Sequence, residues 1–284
     1  MSKLIEMRQR IKTVQTIKKV THAMRLIAMA HSTAAKHKTA YVQAKSDALR
    51  TVVERVSTQA PRMEPAEQEI PKKTLVILIG SQKGLCGNFN TYLLEYYREQ
   101  QMQDPELFAN AEYILIGKKL IELTQAVIPN PLTSFAQLSN TSVGAVGQQL
   151  ASIINTTKKQ YSRVLVLHNF PKSFFVAKPT TTDIYTQRGG TPLLIEHESS
   201  REQSPYYWYE DPHTLLRTLE EASIQTAIQS VLLTSLNAEH AARFIAMDNA
   251  TRNAQELMDT MQLDYHKLRQ AKITKELTDL IASF

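Results

Sequence analysis

Near the start of the chain, apolar side chains recur at steps of three or four: Leu4, Met7, Ile11, Val14, Ile17, Val20, Met24 and Ile27. That spacing lays them along one stripe of a helix. Arg8, Arg10, Lys12, Lys18, Lys19 and Arg25 take the other face. The stripe continues more weakly through Ala34, Tyr41 and Ala48 to Val56 and stops at Pro61. At the other end, Pro212 is placed to start a second helix, with Leu215, Leu219, Ala222, Ile228, Val231 and Leu232 as its apolar face. The spacing resumes at Leu257, Met261, Tyr265 and Leu268 and ends with Ile273, Leu277, Leu280 and Phe284. Unbroken, the two helices would measure roughly 85 and 105 Å. No small core is that long, so each must pack on another long helix, and each is the other's obvious partner. Two successive steps of three, Val14 to Ile17 to Val20, interrupt the heptad and predict little or local supercoil.

Between them the pattern changes to short continuous apolar runs, as expected of buried strands. They are Thr74–Ile79, Tyr113–Ile116 and Arg163–Leu167, with a less regular run over Phe174–Tyr185. Helix-like stretches at Thr91–Gln101, Lys118–Ala126 and Val143–Lys159 alternate with them. Strand and helix in alternation predict a parallel α/β domain. Glu198 to Pro205 reads as a polar loop leading to the last helix. The helix breakers agree with this division: all 8 Gly lie between Gly80 and Gly190, and all 11 Pro between Pro61 and Pro212. The expected segments are a long helix over residues 1–60, an α/β domain over 73–195 and a second long helix over 212–284.

Charge changes the picture for the first helix only. Residues 1–50 hold 11 Lys and Arg against Glu6 and Asp47, whereas the rest of the chain is slightly acidic. A basic arm could suit DNA, a membrane surface or an acidic protein. Because the apolar stripe runs through the basic stretch, that helix is already packed, which favours a solvated face or an acidic protein surface over DNA. No apolar run approaches the ~20 residues of a membrane span. The single cysteine, Cys86, excludes an intrachain disulfide.

Candidate chemistry is sparse. Gly80-Ser-Gln-Lys-Gly-Leu-Cys-Gly87 joins a strand to a helix, where α/β folds often hold phosphate. Its spacing fits neither the dinucleotide nor the Walker pattern, so a tight turn needing small residues is the preferred reading. Cys86 has no local histidine signature, His240 and His266 have no ligand partner at helical spacing, and no carboxylate couple stands out. No cofactor, metal or catalytic residue is therefore expected. Asp248-Asn-Ala-Thr-Arg-Asn-Ala254 is unusually polar for mid-helix: an exposed stretch, or a polar zone on a shaft gripped by other chains.

Four segments carry a resemblance. Glu239-His-Ala-Ala-Arg-Phe-Ile-Ala-Met-Asp-Asn-Ala-Thr-Arg-Asn-Ala254 and Arg269-Gln-Ala-Lys-Ile-Thr-Lys-Glu-Leu-Thr-Asp279 resemble the C-terminal signature of the gamma subunits of F-type ATP synthases. Arg10-Ile-Lys-Thr-Val-Gln-Thr-Ile-Lys-Lys-Val-Thr-His-Ala-Met24 is similar to that family's first helix, and Ser81–Asn90 to its central motif. Gln82 and Asn88 depart from the motif's usual Asp and Gly, and His31–Lys38 is less basic than its counterpart. The resemblance implies an α/β protein: a long antiparallel pair of N- and C-terminal helices (coiled coil) plus a central Rossmann-like domain that binds no nucleotide. It implies a rotor in the central stalk, within a ring of three alpha and three beta subunits. Its foot, with epsilon, would stand on the membrane ring of c subunits, coupling proton flow to ATP synthesis or hydrolysis. The membrane would be reached only through that c-ring, at the cytoplasmic face of a bacterial plasma membrane, and nucleic acid would not be a partner. By correspondence Met24, Arg243, Gln270, Thr274 and Glu276 fall where the shaft meets the ring, and Gly84, Leu85, Cys86, Gly87 and Asn90 in the foot. Lys18, Lys19 and Arg25, by charge and shared face, would meet acidic loops of the beta subunits. Two rival classes, a nucleotide-dependent α/β enzyme and a coiled-coil DNA adaptor, leave the four collinear motifs unexplained.

Overall fold

The structure is a computed structural model that describes residues 2–57, 73–157, 160–174, 176–186 and 209–283. Helix α1 runs over Ser2–Ser57 and is followed by β1 (Lys73–Ile79), α2 (Phe89–Gln103), α3 (Pro105–Ala109) and β2 (Ala111–Ile116). Then come α4 (Lys118–Thr124), β3 (Thr133–Phe135), α5 (Val143–Thr157), β4 (Tyr161–Ser173), β5 (Val176–Thr186) and α6 (Pro212–Ala282). The loop expected over Glu198–Pro205 lies outside the described residues. The chain forms two compact units, residues 1–30 with 243–284, and residues 31–242. Both long helices contribute to both units, so this division cuts across the three segments expected from sequence.

In the larger unit, five strands form one sheet in the order β3-β2-β1-β4-β5. β1 pairs in parallel with β2 and β4, and β2 with β3. β5 turns back antiparallel on β4, so the sheet is mixed where the sequence pointed to parallel strands alone. A short connection is the reason: only two residues separate β4 from β5, and parallel strands need a crossover of a dozen or more residues. Central β1 is covered on both faces, which explains its unbroken apolar run. Leu75, Ile77 and Ile79 meet α5, α6 and Val42 of α1, while Val76 and Leu78 meet α2, α3 and α4. At the start of the strands, Glu112 accepts hydrogen bonds from the Tyr161 hydroxyl at 2.6 Å and from Lys73 Nζ at 2.8 Å. These bonds hold its carboxyl below the usual range.

In the smaller unit, α1 and α6 run antiparallel: Lys18 lies opposite Gln255, Thr21 opposite Thr251 and Arg25 opposite Asp248. The buried line on α1 leaves the predicted stripe after Val14. It passes through half-buried Lys18, buried Thr21, half-buried Arg25 and buried Ala28. Ile17, Val20 and Ile27 are instead 48%, 52% and 56% exposed. The same heptad persists in the larger unit, where Ser32, Ala35, Val42, Val53 and Val56 are buried, and Ala34, Tyr41 and Ala48 are not. The interruption predicted from the steps of three is therefore absent. The physical reason sits on the partner helix. Gln255, Thr251 and Asp248 face α1, and buried polar groups require polar partners. Hydrophobicity read along one helix cannot anticipate that.

Candidate functional site: the helix pair and the glycine loop

Three polar layers lie in the inner seam of the smaller unit, among buried Val14, Ala28, Met247 and Ala254. Lys18 Nζ donates to Gln255 Oε1, the Thr21 and Thr251 hydroxyls lie 2.9 Å apart, and Arg25 donates to Asp248 Oδ1 at 2.5 Å. Arg252, four residues along α6, donates to the other oxygen of Asp248 at 2.7 Å. The bond from Arg25 is the main cause holding the Asp248 carboxyl below its usual range, with the two guanidinium charges adding to it. Polar layers in a helix seam select register and orientation at some cost in stability. The polar segment 248–254 is thus divided by helix geometry. Asp248, Thr251 and Ala254 turn inward, while Asn249, Arg252 and Asn253 face solvent. Nearer the chain start, Glu6, Gln9, Arg10, Thr13, Val14 and Met261 line an open groove of about 350 Å³.

Displacing the seam leaves apolar side chains outside. Ile17, Val20, Leu26, Ile27 and Met29 on α1 are exposed, as are Leu257, Leu263 and Leu268 on α6. In the antiparallel register of the three layers, Leu4 falls opposite about position 269, so the last turns of α6 have no α1 residue facing them. There Ile273, Leu277, Leu280 and Ile281 are exposed.

The sequence-selected shaft residues do not form one cluster. Met24 is half-buried and Arg243 is buried, whereas Gln270, Thr274 and Glu276 are exposed on the final turns of α6. Thr274 Oγ1 donates to the Gln270 carbonyl at 3.0 Å, and Glu276 pairs with Lys272 at 3.3 Å. Of the three selected cations, Lys18 and Arg25 are engaged with α6 and Lys19 is exposed. What sequence reasoning missed is the cross-helix pairing. The signal was present as Asp248, Thr251 and Gln255 at steps of three and four, but it needed the partner helix to be legible.

In the larger unit, the loop after β1 is built by close approach. A Cβ on Gly80 would lie 2.4 Å from the Leu120 Cβ, and one on Gly117 2.5 Å from the Gly80 carbonyl oxygen, with Gly117 already at φ +104°. Small residues are required there for the strand ends to meet α4, which agrees with the tight-turn reading. Beyond the carboxyl ends of β1 and β4, where doubly wound sheets usually hold a nucleotide, the chain fills the space itself. Ser81 N–H donates to Asn90 Oδ1 at 2.9 Å, Asn90 Nδ2 to Ser81 Oγ at 2.7 Å, and Asn169 Nδ2 to the Phe89 carbonyl at 3.1 Å. Of the backbone donors there, the N–H groups of Gly80, Ser81 and Phe89 are bonded within the chain. Cys86 is buried with Phe89 and Ala238, as a small apolar residue rather than a nucleophile. Leu85 and Gly87 take left-handed φ of 62° and 58°, and the Leu85 side chain is exposed. Gly84 has open space around its Cα.

Among the described residues, no group of three or more His, Cys, Asp or Glu could hold a metal, and no helix is long and apolar enough to cross a membrane. His240 stacks on His31 with ring centroids 5.2 Å apart, and His266 meets the Tyr265 ring at 5.9 Å. His168, which sequence reasoning passed over, is buried on β4 with Nε2 3.0 Å from Thr182 Oγ1, and burial pushes its pKa down to about 4.

Comparison with known proteins adds the family context. The family described as ATP synthase matches residues 3–284. The ATP synthase gamma chain of Rickettsia felis is 30% identical over 291 residues, covering 99% of this chain and 98% of the relative. That of Leptospira biflexa is 27% identical over 283 residues, covering 97% and 96%. Among solved structures, a chain in the Euglena gracilis mitochondrial ATP synthase (OSCP/F1/c-ring, rotational state 3) superposes with TM-score 0.64 at 15% identity, covering 99% of this chain and 93% of that one. A chain of the rotor of the same enzyme gives TM-score 0.63 at 14% identity, covering 95% and 98%. At such identities the structural likeness speaks for the fold.

Proposed function

The chain belongs to the ATP synthase gamma family, and from that premise we propose that it is the central-stalk rotor of an F-type ATP synthase, a subunit without a catalytic site of its own. The observation that carries this reading is the helix pair whose inner seam holds three polar layers while large apolar side chains stand on its outer surface. Ile17, Val20 and Ile27 on α1, and Ile273, Leu277 and Leu280 on α6, are presented outward. A pair built for itself alone would bury them. A shaft turning inside three alpha and three beta subunits needs apolar surface outside and cohesion inside. Because the surface differs round the shaft, each orientation gives each beta subunit a different contact energy, and so shifts its open, loose and tight states. Torque would come from proton flow through the c-ring, on which the α/β domain stands with epsilon. The rotor thus reaches the bacterial plasma membrane at its cytoplasmic face, only through that ring. It requires no cofactor.

Met24, Arg243, Gln270, Thr274 and Glu276 are the proposed ring contacts, with Gly84, Leu85, Cys86, Gly87 and Asn90 in the foot. Of Lys18, Lys19 and Arg25, Lys19 is the cation best placed for an acidic loop, because the other two act across the helix pair. The test is affinity capture of the tagged chain from native membranes, with stoichiometry by native mass spectrometry. One copy per three alpha and three beta subunits, with epsilon and a c-ring, is expected; recovery alone or with nucleic acid would overturn the rotor reading.

A further inference from the structure

The hairpin of β4 and β5 carries a surface that the rotor reading does not use. Phe170 pairs across strands with Lys178, and Ser173 with Val176. Cross-strand partners and alternate residues share a face, so Phe170, Val176 and Lys178 lie on one side of the hairpin. Asn169 and Ala177 take the other side, where they meet Phe89 and the Cys86 cluster. That inner side is therefore occupied by the chain's own packing. On the outer side, Phe170 and Val176 are 48% and 47% exposed near the paired ends of the two strands. Lys172 and Lys178 are exposed beside them. From α1, Lys36 places its ammonium 5.2 Å from the centre of the Phe174 ring, which brings the helix segment 31–38 up to the same tip.

The composition of these two segments is one-sided. Residues 31–38 and 168–178 contain Lys36, Lys38, Lys172 and Lys178 and no Asp or Glu. An apolar centre rimmed by cations of one sign complements a segment that brings apolar side chains and carboxylates together. We propose that this hairpin face docks an acidic, apolar-bearing segment of a neighbouring protein subunit in the assembled complex. The proposal rests on the rotor reading for the identity of the complex, and on Phe170, Val176, Lys172 and Lys178 for the surface. Two half-exposed apolar side chains and a few lysines are less than the two signals that stable membrane anchoring takes, which favours protein over lipid.

The experiment places a photocrosslinker on the tip of the full-length chain in the intact complex. Ser173→Cys is labelled with a benzophenone maleimide; buried Cys86 leaves the unsubstituted chain as the labelling control. The expected product is an adduct with one subunit, at a peptide of net negative charge. Lys172→Glu together with Lys178→Glu should lower its yield about tenfold, and the Lys→Arg pair should restore it. An adduct with phospholipid or nucleic acid, one with a peptide lacking acidic excess, none in the assembled complex, or a yield indifferent to charge reversal would each overturn the proposal. If the control chain is recovered without alpha and beta subunits, the rotor reading fails separately, and the peptide captured at position 173 still decides the docking face.

Discussion

The same two helices behave differently in the two units. Between Ile224 and Ala241 no position of α6 is exposed, because the sheet covers one side of it and α1 another, and even Thr226, Ser235 and Glu239 are buried there. From Arg243 onward its surroundings within the smaller unit are α1 and solvent. There large apolar side chains are left outside while polar ones are covered: Thr21 is buried and Ile27 is not. In a packed three-layer region, a helix is covered from more than one side, so apolar and polar residues alike are buried. In a two-helix unit, only a narrow seam is covered, and polar groups on one helix dictate what sits opposite.

The largest test of that contrast is truncation of matched apolar residues in the two regions. Leu232→Ala, at a fully buried site, should cost about 2–5 kcal/mol and lower the thermal midpoint accordingly. Acid separates the regions next. His168 titrates near 4 when folded against an ordinary value near 6.5, so between these values the unfolded chain binds a proton that the folded chain does not. Stability is therefore full above pH 6.5 and falls as pH drops through that window, by up to about 3 kcal/mol. Denaturant titrations at pH 7 and 4.5 should show this fall, and His168→Gln should flatten it.

A smaller effect is expected in the seam. Asp248→Ala leaves Arg25 partly buried without its carboxylate, and a double-mutant cycle with Arg25→Ala should return a favourable, nonzero coupling. A coupling near zero would mean that the pair is an ordinary surface contact. The smallest change is predicted for Ile17→Ala and Leu280→Ala, within about 0.5 kcal/mol in the isolated chain, because neither residue is covered there. If Ile17→Ala destabilises the isolated chain as much as Leu232→Ala does, the distinction between the two regions is lost. In the assembled enzyme, by contrast, a combined Ile17→Gln and Ile27→Gln change should weaken coupling of ATP hydrolysis to proton pumping.

Much of this architecture was legible in the chain. The helix ends, three of the five strands and the glycine turn follow from local physics: proline and glycine interrupt helices, continuous apolar runs need cover on both faces, and Gly80 is required where α4 comes within contact. The fourth run, Phe174–Tyr185, marked β5 without revealing its antiparallel direction, and the three-residue β3 is too short to leave a pattern. The proposed shaft contacts lay further from view. Gln270, Thr274 and Glu276 lie within two turns of α6, but Met24 and Arg243 stand apart from them, and no spacing links the set.

Local pattern alone determined that two long helices flank an α/β sheet, because periodicity and helix breakers act over a few residues. Only the tertiary structure decided which face of α1 is the seam. Lys18, Thr21 and Arg25 are inside because Gln255, Thr251 and Asp248, more than two hundred residues away, need hydrogen-bond partners. Ile17, Val20 and Ile27 are outside for the same reason, since a two-helix interface can cover one stripe and the polar pairs occupy it.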